Sequence, residues 1–303
     1  MTRPIAEVNR CLCCRNGLSS MQIDAHQHFW QYSAESYPWI SDSMGDLQRD
    51  FLPADLMAAQ IDSHIAYSVA VQARQSLEEN NFLLGLAQQN SKILGVVGWV
   101  DLQSPDCEQQ LAEFAAHPKA VGVRHVVQDE PDDNFLLRPA FVAGLKHLPT
   151  YDLTYDLLIY PRQLPAAIEL VRQLPEQPFV LDHLAKPLIR DQNFSPWREL
   201  IAELARSPNV CCKVSGMVTE AAWTNWQPAD FTPYLDHVLE VFGPDRLMFG
   251  SDWPVCRVAA EYRQVVELVR QFIQTRHPSA EAAVFGETAR QFYGLTLPEP
   301  VSA

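Results

Sequence analysis

From residue 22 to residue 295 the chain repeats one pattern eight times: a short apolar or β-branched run, then a longer segment with helical spacing. The runs are QIDAH (22–26), AYSVAVQ (66–72), ILGVVGWV (93–100), AVGVRH (120–125), TYDLLIY (154–160), FVLDH (179–183), NVCCKVS (209–215) and RLMFGSD (246–252). Between them lie helical patterns such as 76–90, 106–116, 164–174, 195–206 and 259–274. Ser104-Pro105, Leu164-Pro165 and Ser195-Pro196 mark helix starts, where a missing N–H costs least. Eight strand-then-helix units, undivided by any linker, predict a single α/β domain over 21–295, a closed (β/α)8 barrel. An open doubly wound sheet is the alternative; no G-x-G-x-x-G follows the first run to favour it. Residues 1–20 lack both periodicity and the apolar core of a secretory signal, so they read as a flexible extension, with 296–303 a short tail.

Charge and cysteine content narrow the partners. With 23 Lys and Arg against 37 Asp and Glu the net charge is −14, which repels nucleic acid and anionic membrane surfaces. No apolar run approaches the roughly 20 residues that span a bilayer. The seven cysteines follow no zinc-finger spacing and fit reduced thiols in a cytoplasm; Cys11, Cys13 and Cys14 crowd together, and a metal site there is the weaker reading. Monomer and homodimer are both compatible with this composition.

A barrel gathers its reactive groups where strands end. Here those ends carry His26 and His28, Arg124 and His125, Asp182 and His183, Lys213 and Ser215, and Ser251 and Asp252. Residues i and i+2 of a strand share a face, so His26 and His28 can address one atom; as a lone pair they could equally be structural. His183 and Asp252 complete a set of three imidazoles and a carboxylate, which suits one divalent metal such as Zn²⁺ with a place left for water or substrate. Alternatively His183 is a buried ring bonded to backbone and Asp252 a helix cap. A partly desolvated Asp252 near imidazoles can take a proton from water. Arg124 either clamps a substrate oxygen or pairs with a rim acid, beside His125; Lys213 either touches substrate or joins an internal ion pair. Trp30 and Trp253, with Tyr32, Trp39, Trp223 and Trp226, either face a sugar ring or pack the loops. Only two cations at the strand ends argue against a dianionic substrate.

The stretches IDAHQHFW, GVRHVVQDEPD, LDHLAKP, CKVSGM, FGSDWPVC and FGETARQFYGL together resemble the metal-dependent-hydrolase-like amidohydrolase family, in the sugar-lactonase branch that holds the L-fuconolactonases and L-rhamnono-γ-lactonases. The resemblance runs from Met21 to about Leu295. It implies a distorted (β/α)8 TIM barrel that opens a sugar lactone to the free acid. It also implies that His26, His28, His183 and Asp252 are catalytic and metal-binding, with Arg124, His125, Lys213, Trp30 and Trp253 around the substrate. Binuclear members carry a bridging lysine after strand four, where this chain has Arg124 and His125, so at most one metal is expected, and some members use none. Pyrone or muconate lactone hydrolysis and decarboxylation are the alternatives within the same resemblance.

Overall fold

A computed structural model describes residues 22–298. The expected extension, its three cysteines and residues 299–303 of the tail lie outside the described residues. Eight parallel strands stand side by side in chain order: β1 (Ile23–Gln27), β2 (Tyr67–Val71), β3 (Ile93–Gly98), β4 (Ala120–His125), β5 (Thr154–Leu157), β6 (Phe179–Leu181), β7 (Val210–Val214) and β8 (Leu247–Phe249). The helices are α1 (Pro53–Ala59), α2 (Leu77–Gln89), α3 (Cys107–Ala115), α4 (Pro139–Leu145), α5 (Leu164–Gln173), α6 (Trp197–Leu204), α7 (Met217–Glu220), α8 (Pro228–Phe242), α9 (Tyr262–Arg276) and α10 (Thr288–Phe292). This is the predicted (β/α)8 barrel. Local chemistry explains the starts: the Ser76 hydroxyl accepts from the Glu79 N–H at the head of α2, and Pro165 occupies the first turn of α5. Among the described residues no helix is long and apolar enough to cross a membrane.

The seam between β8 and β1 is closed mainly by a side chain. Asp24 accepts from Ser251 N–H at 2.8 Å, Ser251 Oγ at 2.5 Å, His26 N–H at 3.1 Å and Tyr262 Oη at 3.2 Å. Backbone bonds resume only past the strand, where His26 C=O accepts from Asp252 N–H at 2.8 Å and Trp253 C=O from His28 N–H at 2.7 Å. Burial pushes the Asp24 carboxyl up to about 6 against the pull of its four donors.

The register of β1 on β2 slips between Asp24 and Gln27. Before the slip, Ile23 and Ala25 pack with Val69, Val180 and Met248, a cluster that Ala289, Tyr293 and Leu295 close from the C-terminal end of the chain. Beyond it, His26 turns toward Arg124, Asp182 and Lys213, and His28 toward Val71 and Asp252, the re-aiming expected of an extra residue in one strand.

Several strands end earlier than their apolar runs suggest. β5 stops at Leu157, β6 at Leu181 and β8 at Phe249, so His183 and Asp252 lie on the loops rather than on the ladder. The backbone is the reason: His183, Leu184, Ala185 and Lys186 all have φ between 51° and 58°, and Asp252 has φ 58°. Each left-handed non-glycine residue costs about 1–2 kcal/mol. The surroundings hold the turn: Leu184 and Ala185 are fully buried, and Leu184 C=O accepts from Trp197 Nε1 at 2.7 Å.

Candidate active site

Asp252 Oδ1 is the focus of the rim. His28 Nε2 lies 3.3 Å from it, and His26 Nε2 and His183 Nε2 each 3.9 Å. His26 Nε2 and His28 Nε2 are themselves 3.2 Å apart. The loop after β8 delivers the carboxylate, β1 and its extension the first two rings, and the left-handed turn after β6 the third.

Second contacts orient the rings. His28 Nδ1 is 2.8 Å from Val71 C=O, a group that only accepts, so Nδ1 carries the proton and Nε2 presents a lone pair toward Asp252. A lone pair facing a carboxylate oxygen at 3.3 Å calls for a proton or a cation between them. His183 Nδ1 meets Ser215 Oγ at 2.9 Å. His26 Nδ1 lies 3.3 Å from Asp182 Oδ1 and 3.2 Å from Lys213 Nζ. Both ring nitrogens of His26 thus have a donor-only neighbour, Lys213 at Nδ1 and Arg124 at Nε2, with the Asp182 carboxylate alongside.

Below the rim lies a buried ionic frame. Arg124 Nη1 donates to Asp182 Oδ2 at 2.9 Å and approaches His26 Nε2 at 3.3 Å, while Nη2 donates to Gln72 C=O. Lys213 Nζ is 2.5 Å from Asp156 Oδ2 and 2.9 Å from Asp182 Oδ1. Tyr293 Oη, just past α10, donates to Asp156 Oδ2 at 2.8 Å. Burial alone would raise the Asp182 carboxyl, but Lys213, His26 and Arg124 outweigh it and hold it well below the usual range. Burial keeps His26 well below its ordinary value and lowers His183 to about 4, so both are neutral near pH 7. Burial opposes ionisation of Asp252, and the three imidazoles overcome it and pull the carboxyl below its ordinary value.

The arrangement suits a cation. Arg124 and Lys213 are matched by Asp182 and Asp156, so with neutral imidazoles Asp252 adds a negative charge at the mouth that neither of these cations contacts. One ligand atom each from His26, His183 and Asp252 lies within 4.8 Å of the others. Zinc–ligand bonds of about 2.0–2.1 Å in a tetrahedron set neighbouring ligand atoms roughly 3.3 Å apart, close to the observed 3.2–3.9 Å. His28 lies beside this group of three, its Nε2 3.2 Å from His26 Nε2 and 3.3 Å from Asp252 Oδ1.

Four others take different positions. Arg124 and His125 are neighbours on β4 and so point to opposite faces: Arg124 enters the barrel, while His125 turns to Glu130 at 2.8 Å and stacks on Phe135. Lys213 is fully buried beneath His26. Trp30 is fully buried against Trp39 and Phe51, its N–H bonded to Arg49 C=O. Trp253 is wedged edge-on against Phe51 and Phe29. These positions favour the packing and ion-pair alternatives for His125, Lys213, Trp30 and Trp253: Lys213 joins the ionic frame with Asp156, and the aromatics join the loop packing. Trp39, Trp223 and Trp226 likewise donate their indole N–H to loop carbonyls.

Asp156 was not among the candidate residues, although the one charge in TYDLLIY was its signal; its register opposite Arg124 puts it in the frame. Gly216 was also missed. Its φ is +60°, and a Cβ there would fall against His183 Nδ1. Gly216→Ala is therefore expected to displace His183, lowering kcat/KM at least tenfold and stability by about 1–3 kcal/mol. Parental kinetics in a stable Gly216→Ala protein would show that the ring does not depend on this gap.

The chain is similar to named proteins over most of its length. An L-fucono-1,5-lactonase from Burkholderia multivorans is 41% identical over 297 residues, covering 94% of this chain and 99% of its own. One from Burkholderia ambifaria is 36% identical over 283 residues, covering 92% and 97%. A solved amidohydrolase from Burkholderia multivorans with bound zinc superposes with a TM-score of 0.87 at 41% identity, over 91% of this chain and all of that one. The family described as Amidohydrolase matches residues 23–295, nearly the whole barrel together with its converging imidazoles and carboxylate, and the chain belongs to that family.

Proposed function

We propose that the protein is a lactonase that hydrolyses a neutral sugar-acid lactone, L-fuconolactone first and L-rhamnonolactone second, to the free aldonic acid. The observation that carries the reading is the meeting of three imidazoles at Asp252 Oδ1 in a chain similar over most of its length to two L-fucono-1,5-lactonases.

Asp252, ionised at neutral pH, accepts the proton of the attacking water. His26, His28, His183 and Asp252 would hold one divalent ion, and Zn²⁺ is the choice favoured by a donor set of nitrogens and one carboxylate. When bound, such an ion supplies Lewis acidity to the lactone carbonyl and lowers the pKa of water. The proton on His28 Nδ1 makes its Nε2 an acceptor, so this ring serves as a ligand and not as a direct donor to the carbonyl oxygen. Arg124 and Lys213 are engaged by Asp182 and Asp156, which leaves no free cation in the frame for a substrate carboxylate. Free thiols at Cys107, Cys211, Cys212 and Cys256 accord with a cytoplasmic setting.

A panel of aldonolactones followed with a pH indicator tests the reading. Acid release fastest with L-fuconolactone is expected, together with about one equivalent of zinc in gently purified protein and a rate that falls as chelation removes it. Faster opening of a dicarboxylated lactone, or carbon dioxide as product, would overturn the assignment.

A further inference from the structure

Three successive loops bring Tyr160, Lys186 and Glu220 over the site: Tyr160 follows β5, Lys186 ends the left-handed turn after β6, and Glu220 ends α7 after β7. Lys186 Nζ lies 3.9 Å from Glu220 Oε1 and 5.5 Å from the centre of the Tyr160 ring. The two charged side chains keep 16% and 20% of their surface open to solvent. Their loops leave the strands at the end of the barrel that also carries His183 and Asp252.

A direct ammonium–carboxylate hydrogen bond closes to about 2.7–2.9 Å. This pair is held open beyond that distance. Among the described residues the Glu220 carboxylate receives one long bond, from Thr219 Oγ1 at 3.4 Å, and the Lys186 ammonium has Glu220 as its acidic neighbour. Both heads therefore retain bonding capacity, and part of their surface is open to solvent.

We propose that the open Lys186–Glu220 pair reads a hydroxyl of the lactone ring, a specificity role that rests on the lactonase reading above. A hydroxyl oxygen about 2.8 Å from both heads accepts from the ammonium and donates to the carboxylate, a double task that suits a hydroxyl. A C–H group at the same place satisfies neither head, and a carboxylate meets Glu220 as a like charge. The Tyr160 ring offers an apolar face to the C–H side of the sugar.

The test is a double-mutant cycle with Lys186→Met, Glu220→Gln and the two combined, assayed on L-fuconolactone and on δ-valerolactone, which has a six-membered lactone ring and no hydroxyl. Each single change is expected to lower kcat/KM on L-fuconolactone about ten- to a hundredfold, the range for a charge-assisted hydrogen bond, and to lower the preference for L-fuconolactone over δ-valerolactone by tenfold or more. Because one hydroxyl bridges both heads, the combined variant loses about as much as either alone. Losses that multiply, an unchanged preference, or full activity on L-fuconolactone would overturn the proposal. Glu220→Gln is isosteric and carries the test alone should Lys186→Met fail to fold. The cycle on L-fuconolactone decides even if δ-valerolactone is not turned over. A parent enzyme inactive on every lactone sinks the lactonase reading and this role with it, whereas an active parent with unaffected variants sinks this role alone.

Discussion

Asp252→Asn is expected to lower kcat/KM on the preferred lactone by about 10²–10⁴ while the protein remains folded. Asparagine keeps the shape of aspartate and its hydrogen-bonding reach but cannot take a proton from water, and loss of a general base costs this much. Stability separates this from a structural role. Asp252 is the carboxylate left over once Arg124 and Lys213 have been matched to Asp182 and Asp156, so replacing it removes an uncompensated buried charge. The unfolding free energy is then expected to stay within about 1 kcal/mol of the parent, the scale of a change that breaks no buried pair. If Asp252 held a divalent ion, the variant also loses metal. Turnover and thermal midpoint measured on one preparation decide the matter: activity within about tenfold of the parent, below the range of a lost base, would remove Asp252 from the chemistry.

Lys213→Met is expected to produce the largest loss of stability, about 3–5 kcal/mol, the cost of leaving buried charges without their partner. Asp156 and Asp182 would both remain in the barrel with one cation fewer. The sign of the pH dependence follows. Burial already raises the Asp156 carboxyl, and Lys213 opposes that rise; without Lys213 the folded-state value climbs further above that of the unfolded chain. A carboxyl raised on folding contributes stability that is present below its unfolded value and lost as pH rises through the folded one. The deficit of Lys213→Met is therefore smaller near pH 5 than near pH 8, and adding Asp156→Asn restores part of it. Urea midpoints across that range check both points. A midpoint equal to the parent's would mean that the frame does not hold the barrel.

The eight-fold alternation and the four converging side chains were legible because each rests on local information. A strand fixes which of its residues share a face, so His26 and His28 fall together without knowledge of any other part of the chain, and the same parity separates Arg124 from His125. Partners were not legible. Whether Lys213 touches substrate or Asp156 depends on which strand stands opposite and at what height, and that follows from the closed register of the barrel. The turn at His183–Lys186 was hidden for another reason: it contains no glycine to announce positive φ, and is imposed by the burial of Leu184 and Ala185 and by the bond from Trp197. The aromatics misled because a large ring in a loop fits an open pocket and a packed interior equally well by composition, and Trp30 and Trp253 lie in the interior.

The hydrogen bond from Tyr293 to Asp156 ties the end of the barrel to its fifth strand in time as well as in space. Domains begin to fold while the chain is still being synthesised from the N-terminus. His26 and His28 emerge early, yet the ionic frame beneath them receives Lys213 only late, and the hydroxyl that caps Asp156 arrives with the last helical turn. A nascent chain that lacks this turn holds a buried carboxylate with one donor fewer and an apolar base open to water beside Ile23, Val69 and Val180. The ribosome thus delivers His26 and His28 first and the group that completes the frame beneath them last, and Asp156 gains its final hydrogen bond only when synthesis of the barrel is finished.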